Sequence, residues 1–340
     1  MYDLIVAGGG PAGLATALYA TRAGLDAVVL DPRPPPIDKA CGEGLMPGAV
    51  TALDDLGVHP DGHDIRGIRY ADGAHRVEAL FRTRLGRGVR RTDLHAALLD
   101  AVRASGVPVL SRSVGDLAQD ERRVRVSGLE ARYLAAADGL HSPLRRQLGL
   151  DIAPRPGTRP RWGLRQHFAV PPWTDFVEVH WTTDAEVYVT PVGPDLVGVA
   201  VLSGIRAPYA AQLAGFPAVL ARLPSAGATS VRGAGPMRQR VRRRVAGRVL
   251  LVGDAAGYVD ALTGEGIAVA LACGRALVDC VVRDEPRRYE RQWLRASRRY
   301  RLITESLIWA RERHHLQPMI VPAAKRAPWL FAAAISQLAR

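Results

Sequence analysis

The first thirty residues alternate between short apolar runs and glycine-rich turns, and this pattern predicts a strand, a helix and a second strand. The apolar run over residues 2–7 leads into glycines, a helix is predicted over 14–23, and Gly24 ends that helix. The apolar run over 27–30 predicts a second strand that ends at Asp31. The chain is therefore predicted to open with a βαβ unit.

The turn between the first strand and the helix has the spacing G-x-G-x-x-G, formed by Gly8, Gly10 and Gly13. Gly8 permits the tight turn, Gly10 lets a pyrophosphate approach the backbone, and Gly13 lets the helix pack closely on the strand. Asp31 follows at the distance where a carboxylate accepts hydrogen bonds from a ribose, about 20 residues on. We interpret the unit as a dinucleotide-binding site; a tight turn without a ligand is the alternative.

A proline-rich connector over 32–36 leads to a loop that contains a single thiol between glycines. The loop residues are Cys41, Gly42, Glu43 and Gly44. We interpret the loop as a segment whose backbone packs against the reactive part of a cofactor. The alternative is a glycine-rich turn with a buried cysteine. A nucleophilic Cys41 is disfavoured, because no histidine base is near it in sequence.

Weak alternation over 66–82 predicts a hairpin that turns at 71–73, and a helix is predicted to begin with Thr92 as its N-cap. Arg91 immediately precedes that cap. From this position its guanidinium would reach a phosphate or the edge of a flavin. The alternative is a solvated arginine on a helix surface.

A second strand-turn-helix signature follows the predicted strand over 133–137. Asp138 is placed to bond a ribityl or ribose hydroxyl, and Gly139 allows close backbone approach. Ser142 is expected to cap the next helix, which has Pro143 at its first position. The alternative is a capped helix without a ligand.

The third signature follows an apolar strand over 248–252. Gly253 and Asp254 end this strand, and the carboxylate suits a ribityl hydroxyl. The backbone around Gly264 and Gly266 is predicted to approach a flavin ring, ahead of a helix that extends to about residue 282.

The middle of the chain changes to the two-residue period of strands. Four strands are predicted, over 162–170, 176–181, 186–190 and 196–202. An antiparallel sheet without phosphate motifs is a natural wall for a substrate site. His167 and His180 are candidate general bases, although hydrogen-bonded structural histidines are favoured, and Tyr188 is a candidate for orienting a substrate hydroxyl.

Residues 287–315 are predicted to form one long basic helix, followed by apolar pieces that prolines interrupt. Helices that cover the core are favoured over a peripheral membrane contact. The formal net charge is +13, and the only lysines are Lys39 and Lys325. No basic run is interleaved with aromatic residues, so nucleic-acid binding is not expected.

The three cysteines have neither disulfide nor metal-site spacing, which favours a reducing cytoplasm and no metal. The chain starts directly on the first strand without the pattern of a signal peptide. No apolar run reaches about 18 residues, so no transmembrane helix is expected.

The order of the three motifs resembles the FAD-dependent class A aromatic hydroxylase superfamily, which includes the geranylgeranyl reductases. The resemblance implies an α/β fold: a Rossmann-like FAD-binding domain of the glutathione-reductase type, an inserted antiparallel β-sheet substrate domain, and C-terminal helices. The implied FAD-binding domain comprises 1–65, 92–158 and 245–285, the substrate domain 66–91 and 159–244, and the C-terminal helical segment 286–340.

By this resemblance, FAD would lie on residues from all three motifs and on Arg91. The residues are Gly8, Gly10, Gly13, Asp31, Arg91, Asp138, Gly139, Gly253 and Asp254, with Gly264 and Gly266 near the flavin ring. No separate nicotinamide domain is expected in this superfamily, and NAD(P)H is implied as the transient reductant.

The loops over 41–44 and 263–266 look like those of the reductase branch, which saturates isoprenoid double bonds. That branch commonly has a Tyr-x-Trp-x-Phe-Pro stretch, and the nearest match, at 188–191, lacks the Trp and the Phe. Ala261 also stands where both branches usually have proline, and the halogenase stretch Trp-x-Trp-x-Ile-Pro is absent. On these differences we favour a monooxygenase that hydroxylates a small lipophilic metabolite, phenolic or polyketide-like, in secondary metabolism.

An isoprenoid double-bond reductase is the main alternative. A non-catalytic flavoprotein that binds a membrane or partner through its basic helix stays open as a further one. A plain NAD-dependent dehydrogenase would use only the first motif and leave Asp138 and Asp254 unexplained. No motif selects the substrate, NADH or NADPH, or the oligomeric state.

Overall fold

The computed structural model describes residues 1–155 and 157–338. Its strands, in chain order, are β1 (Tyr2–Ala7), β2 (Ala27–Leu30), β3 (Gly44–Leu45), β4 (His63–Ile65), β5 (Gly67–Ala71), β6 (Arg76–Leu80), β7 (Gly86–Gly88), β8 (Val109–Leu110), β9 (Leu117–Gln119), β10 (Val124–Val126), β11 (Leu129–Ala136), β12 (Asp151–Ile152), β13 (Trp162–Phe168), β14 (Phe176–Trp181), β15 (Ala185–Gly193), β16 (Leu196–Ser203), β17 (Arg232–Ala234), β18 (Arg240–Val241), β19 (Val245–Ala246) and β20 (Val249–Leu251).

The helices are α1 (Pro11–Arg22), α2 (Pro47–Asp55), α3 (Arg91–Ala104), α4 (Pro143–Gln147), α5 (Tyr209–Leu213), α6 (Pro217–Leu220), α7 (Gly266–Val282), α8 (Arg288–Arg311), α9 (Ile320–Arg326) and α10 (Pro328–Leu338), with 3₁₀ turns at Gly253–Ala256 and Gln317–Met319. Among the helices of the described ranges, none is long and apolar enough to cross a membrane.

The first sheet is parallel at its centre, in the order β20-β11-β1-β2-β8, and β19 pairs antiparallel with β20. Its central strands are buried along most of their length, which explains why they read as continuous apolar runs. The predicted βαβ unit is confirmed, but α1 begins at Pro11 rather than at residue 14. Proline suits the first helical position because its φ is already helical and its missing N–H would have no partner there.

The second sheet has the order β17-β13-β16-β15-β14-β5-β6. Every neighbouring pair is antiparallel except β14 and β5, which run parallel. The predicted hairpin over 66–82 is confirmed as β5–β6, and it joins this sheet from an earlier part of the chain. Its direction is therefore set by a long crossover rather than by a tight turn, which explains the parallel pair. The domain boundaries inferred above stay a prediction.

The C-terminal segment differs from the prediction of one helix over 287–315. Helix α8 ends at Arg311, and a 3₁₀ turn, α9 and α10 follow. Pro318 has no backbone N–H, so an uninterrupted α-helix could not continue from α8 through this position into α9. The bend lets Val321, Phe331 and Ile335 pack back against the second sheet. Residue 156 of the predicted FAD-binding domain and residues 339 and 340 of the predicted C-terminal segment lie outside the described residues.

Candidate functional site

The three glycines of the first motif have different surroundings. Gly8 has a φ of 115°, and a Cβ on it would overlap the carbonyl of Ala137. A Cβ on Gly13 would overlap the carbonyl oxygen of Gly8. A Cβ on Gly10 would meet only the Nη2 of Arg91, at 3.8 Å. Gly8 and Gly13 are therefore required by close packing, whereas Gly10 borders open space, as a bound pyrophosphate needs.

Arg91 is buried beside Gly10, so the solvated alternative is wrong. Helix α3 begins at Arg91 with Arg90 as its N-cap, two residues before the predicted cap at Thr92. The hydroxyl of Thr92 donates to the carboxylate of Asp93 instead. The Nε of Arg91 is buried without a hydrogen-bond partner, and burial lowers the pKa of its guanidinium. A phosphate placed at Gly10 would lie beside this guanidinium, whose Nη2 is the group nearest to Gly10, so the residues present fit a dinucleotide diphosphate.

Asp31 is buried and already has protein partners. Its Oδ2 accepts from the backbone N of Gly9 and from Nη2 of Arg33, both at 2.6 Å. Burial alone would raise the pKa of this carboxyl, but the hydrogen bonds from Arg33 and Gly9 hold it below its usual range. The carboxylate thus fastens the glycine turn. Its contact with a ribose stays a prediction, and such a contact would share the carboxylate with Arg33.

Asp138 has one oxygen bonded and the other free. Oδ2 accepts from the backbone N of Leu144 at 3.0 Å, and Oδ1 is buried without a partner. Burial raises the pKa of the carboxyl. Gly139 has a φ of 86°, and Ser142 caps α4 as predicted. The unpaired Oδ1 suits a hydroxyl donor from a ribose or ribityl chain.

Asp254 lies in the 3₁₀ turn that follows β20, and Lys39 reaches it. The Nζ of Lys39 is 3.3 Å from Oδ2 of Asp254. Buried Arg145 fixes the same turn through its Nη1, which donates to the carbonyls of Asp254 at 3.3 Å and Ala255 at 3.1 Å. The sequence analysis missed both cations. The sequence contains only weak signals for them. Lys39 is one of two lysines and lies just before the 41–44 loop, and Arg145 follows the Ser142–Pro143 helix cap.

The loop over 41–44 is held by Glu43, which is buried and has a φ of 61°. Its Oε1 accepts from the backbone N of Arg91 at 2.8 Å. The carbonyl of Gly42 accepts from the hydroxyl of Thr190 on β15 at 2.8 Å. Burial raises the pKa of the Cys41 thiol, which disfavours its thiolate. The loop is thereby fixed both to Arg91 at the start of α3 and to the second sheet.

The two candidate histidines are both engaged with protein groups. The Nε2 of His167 is 2.8 Å from Oε2 of Glu43, and its Nδ1 is 3.1 Å from Oγ1 of Thr229. The Nε2 of His180 is 3.3 Å from Oε2 of Glu178. This is the bonded, structural arrangement that the sequence analysis favoured over a general base.

Tyr188 joins the second sheet to the predicted flavin loop, because its hydroxyl donates to the carbonyl of Leu262 at 3.0 Å. Around this contact lies an apolar layer between the sheet and helices α8 to α10. The layer contains Met46, Tyr70, Trp181, Tyr188, Leu262, Phe331 and Ile335 among others. Both predicted flavin loops contribute to it, through Met46 and Leu262.

A buried charge cluster lies at the edge of this layer and was not predicted. Fully buried Glu186 pairs with Arg161 and with Arg311 at the end of α8. Asp260, just before the predicted flavin loop, is 3.4 Å from Nη1 of Arg161. These charges connect the second sheet, the flavin loop and the C-terminal helices.

A cavity of ≈ 300 Å³ lies beside the third motif. Asp254 and Gly266 line one part of it, and Trp293 and Tyr300 of α8 line another. The glycine turn over 8–13 does not line it. The cavity therefore lies on the α8 side of the flavin loop. The described residues contain no cluster of three or more His, Cys, Asp or Glu that could hold a metal.

A parallel sheet that ends in a glycine turn, with a buried unpaired arginine and two carboxylates beside it, defines a dinucleotide-binding protein. Residues 1–194 match the family model described as FAD binding domain, and the chain belongs to this family. FAD is therefore its cofactor. The resemblance to the class A flavoproteins and geranylgeranyl reductases is confirmed.

Two curated relatives are reductases by name. The chain is 32% identical over 309 residues to the menaquinone reductase of Mycobacterium tuberculosis. This match covers 80% of this chain and 74% of that protein. It is 28% identical over 309 residues to a digeranylgeranylglycerophospholipid reductase of Thermoplasma volcanium. This second match covers 80% of this chain and 76% of the relative.

The structure is also similar to that of CmlS, a flavin-dependent halogenase, with a TM-score of 0.75 and 21% identity. The match covers 89% of this chain and 62% of the halogenase, and at this identity it shows the Rossmann-like FAD-binding fold alone. Together, these comparisons establish an FAD-dependent oxidoreductase. They do not support the preference for a monooxygenase over a reductase.

Proposed function

We propose that this protein is an FAD-dependent reductase that saturates a carbon–carbon double bond in an isoprenoid lipid. The observation that carries this proposal is the apolar layer, which extends from Met46 and Leu262 at the predicted flavin loops to Phe331 and Ile335 of α10. A site walled by aliphatic and aromatic side chains suits a hydrocarbon chain. In this proposal the second sheet and the C-terminal helices form the substrate domain.

The hydrogen bonding around the layer supports the same choice. A phenolic substrate would gain from a base that takes its proton. His167 and His180 are instead hydrogen-bonded to Glu43 and Glu178, and the hydroxyl of Tyr188 donates a hydrogen bond to the carbonyl of Leu262. The two relatives named above are reductases of a menaquinone and of a geranylgeranyl lipid by their names. We therefore place the reductase ahead of the monooxygenase that the sequence alone favoured.

Saturation of a double bond adds one hydride and one proton to its two carbons. Bound FAD supplies the hydride chemistry, and NAD(P)H, the reductant typical of the family, is the proposed source of the two electrons. The proton comes from water. Within the protein, Gly10 and Arg91 would hold the diphosphate, and Asp138 would accept a hydrogen bond from a hydroxyl of the cofactor. The loops that contain Glu43 and Leu262 would hold the flavin ring beside the apolar layer.

The test is turnover of isoprenoid quinones and geranylgeranyl lipids by the FAD-loaded protein. Each substrate is supplied with NADH, NADPH or dithionite, once without oxygen and once under isotopically labelled oxygen gas. The proposal expects a product with two added hydrogens that also forms without oxygen. Product that carries an atom from the labelled gas, and none without oxygen, would establish the monooxygenase instead. Protein stripped of FAD provides the control for uncatalysed reduction.

A further inference from the structure

The corner between α9 and α10 combines exposed cations with exposed apolar side chains. Helix α9 ends with Lys325 and Arg326, and α10 begins at Pro328. Both cations are exposed, while Trp329 is 68% exposed and Leu330 53%. These adjacent residues form one surface, which we call the α9–α10 corner (residues 325–330).

The surroundings of the corner have the same composition. Met319, just before α9, is 47% exposed. Farther back, the guanidinium of Arg313 lies 3.7 Å from the ring centroid of exposed Trp309. The sequence contains no Asp or Glu from residue 313 to 338. Tryptophan next to Lys or Arg, without acidic residues, is the composition of surfaces that bind the interface of anionic membranes.

We propose that the α9–α10 corner docks the protein on an anionic phospholipid bilayer. Trp329 and Leu330 enter the boundary between headgroups and acyl chains, while Lys325 and Arg326 contact the lipid phosphates. This inference goes beyond the proposed reaction, because a surface for the bilayer is separate from the chemistry at the flavin.

The opposite face of α10 connects the corner to the apolar layer. Phe331 and Ile335 are buried, and the ring centroid of Phe331 is 4.8 Å from that of Tyr70 on β5. One helix thus has exposed apolar residues at its start and buried apolar residues against the proposed substrate layer. Docking through the corner would place this layer beside the membrane surface.

A second copy of the chain is a poorer occupant for this surface. A symmetric dimer that formed through the α9–α10 corner would place the corner of one copy against, or close to, the corner of the other. Lys325 and Arg326 of each copy would then face like charges, and the neighbouring sequence has no carboxylate to offset them. An anionic bilayer complements both the charge and the apolar side chains.

Binding of the FAD-loaded protein to vesicles tests the proposal without any turnover, so its failure is separable from failure of the proposed reaction. We expect co-sedimentation with vesicles of phosphatidylcholine and phosphatidylglycerol, little with phosphatidylcholine alone, and weaker binding at high salt. Trp329→Ala with Leu330→Ala should lower the partition coefficient about tenfold or more. Lys325→Gln with Arg326→Gln should lower it about fivefold per charge on anionic vesicles.

The matched control is Ile205→Ala with Leu220→Ala, which removes apolar side chains that are 51% and 44% exposed elsewhere on the surface. It should bind like the parent, and flavin absorbance and circular dichroism verify that each variant is folded. Failure of the parent to bind anionic vesicles overturns the proposal, as does equal loss in the control. Unchanged binding in both corner variants also overturns it. So does a dimer that the corner substitutions dissociate, since it would make the surface an interface between copies.

Discussion

Glu43 and His167 are 124 residues apart in the chain, and their side chains meet with 2.8 Å between Oε2 and Nε2. The other oxygen of Glu43 accepts from the backbone N of Arg91 at 2.8 Å. One buried carboxylate therefore connects three parts of the site: the 41–44 loop, the start of α3 and the second sheet. Its φ of 61° is uncommon for a residue with a side chain, so these contacts hold a strained backbone in place.

We predict that Glu43→Ala weakens FAD binding. A hydrogen bond to a charged group contributes about 1.5–3 kcal/mol, so the affinity should fall about ten- to a hundredfold. Glu43→Gln keeps the shape of the side chain and should have a smaller effect. Flavin fluorescence titration of the apoprotein measures the change, and Glu121→Ala, at an exposed position, provides the control. Unchanged affinity combined with lost turnover would instead give Glu43 a role in the reaction.

We predict that Gly10→Val folds but does not retain FAD. A Cβ at Gly10 has space in the protein itself, yet it would stand where the diphosphate must approach the backbone. Thermal unfolding should be close to that of the parent, while the flavin absorbance of the purified protein is lost. Gly115→Val, at an exposed loop position away from the site, is the matched control. Full flavin content in the Gly10 variant would refute the placement of the diphosphate.

The first motif was predictable from sequence because each of its requirements is local. Gly8, Gly10 and Gly13 act within one turn, and the strands on either side show as apolar runs. The pairing of Glu43 with His167 has no local signal, since neither residue belongs to a spacing and the fold alone brings them together. His167 was accordingly considered as a base, although its ring is bound to Glu43 and Thr229.

The end of α8 was also beyond the sequence pattern, for a different reason. The helix was predicted to extend to residue 315, but residues 311–315 are all charged or histidine, so the apolar spacing gives no information about where it ends. Arg311, the last residue of α8, pairs with Glu186, a distant residue on β15. Long-range ion pairs of this kind leave no trace in a hydrophobic period.

We predict that Glu186→Ala strongly destabilises the fold. Glu186 is fully buried between Arg161 and Arg311, and its removal leaves Arg311 without a carboxylate partner and Arg161 with only Asp260, 3.4 Å from its Nη1. Removing one partner of a buried ion pair lowers the free energy of unfolding by about 3–5 kcal/mol. Urea unfolding measures the loss, and limited proteolysis should cut first after α8. Glu312→Ala, at an exposed position beside Arg311, should leave both measurements unchanged. Equal stability of the Glu186 variant would show that the cluster contributes little.

The pH dependence of stability should contain a contribution from Glu265, the N-cap residue of α7 in the predicted flavin loop. Burial raises the pKa of its carboxyl to about 8, and its Oε2 has no hydrogen-bond partner. In the unfolded chain the group titrates near its usual pKa of about 4.3. The folded state therefore holds a proton that the unfolded state releases between these values. Its contribution to stability is complete below the unfolded pKa and is lost as the pH rises through the folded one.

We predict that Glu265→Gln removes this dependence, because an amide stays neutral at every pH. Relative to the parent, the free energy of unfolding of the variant should increase between pH 5 and pH 8, by up to about 1.4 kcal/mol per pH unit. Urea unfolding of both proteins at pH 5, 7 and 9 measures the difference in their free energies of unfolding. Contributions from groups that titrate equally in the two proteins cancel in this difference. Glu312→Gln, an exposed carboxyl, should give a difference that is flat with pH. A flat difference for Glu265→Gln as well would mean that this carboxyl is ionised in the folded protein, and that the flavin loop accommodates its charge.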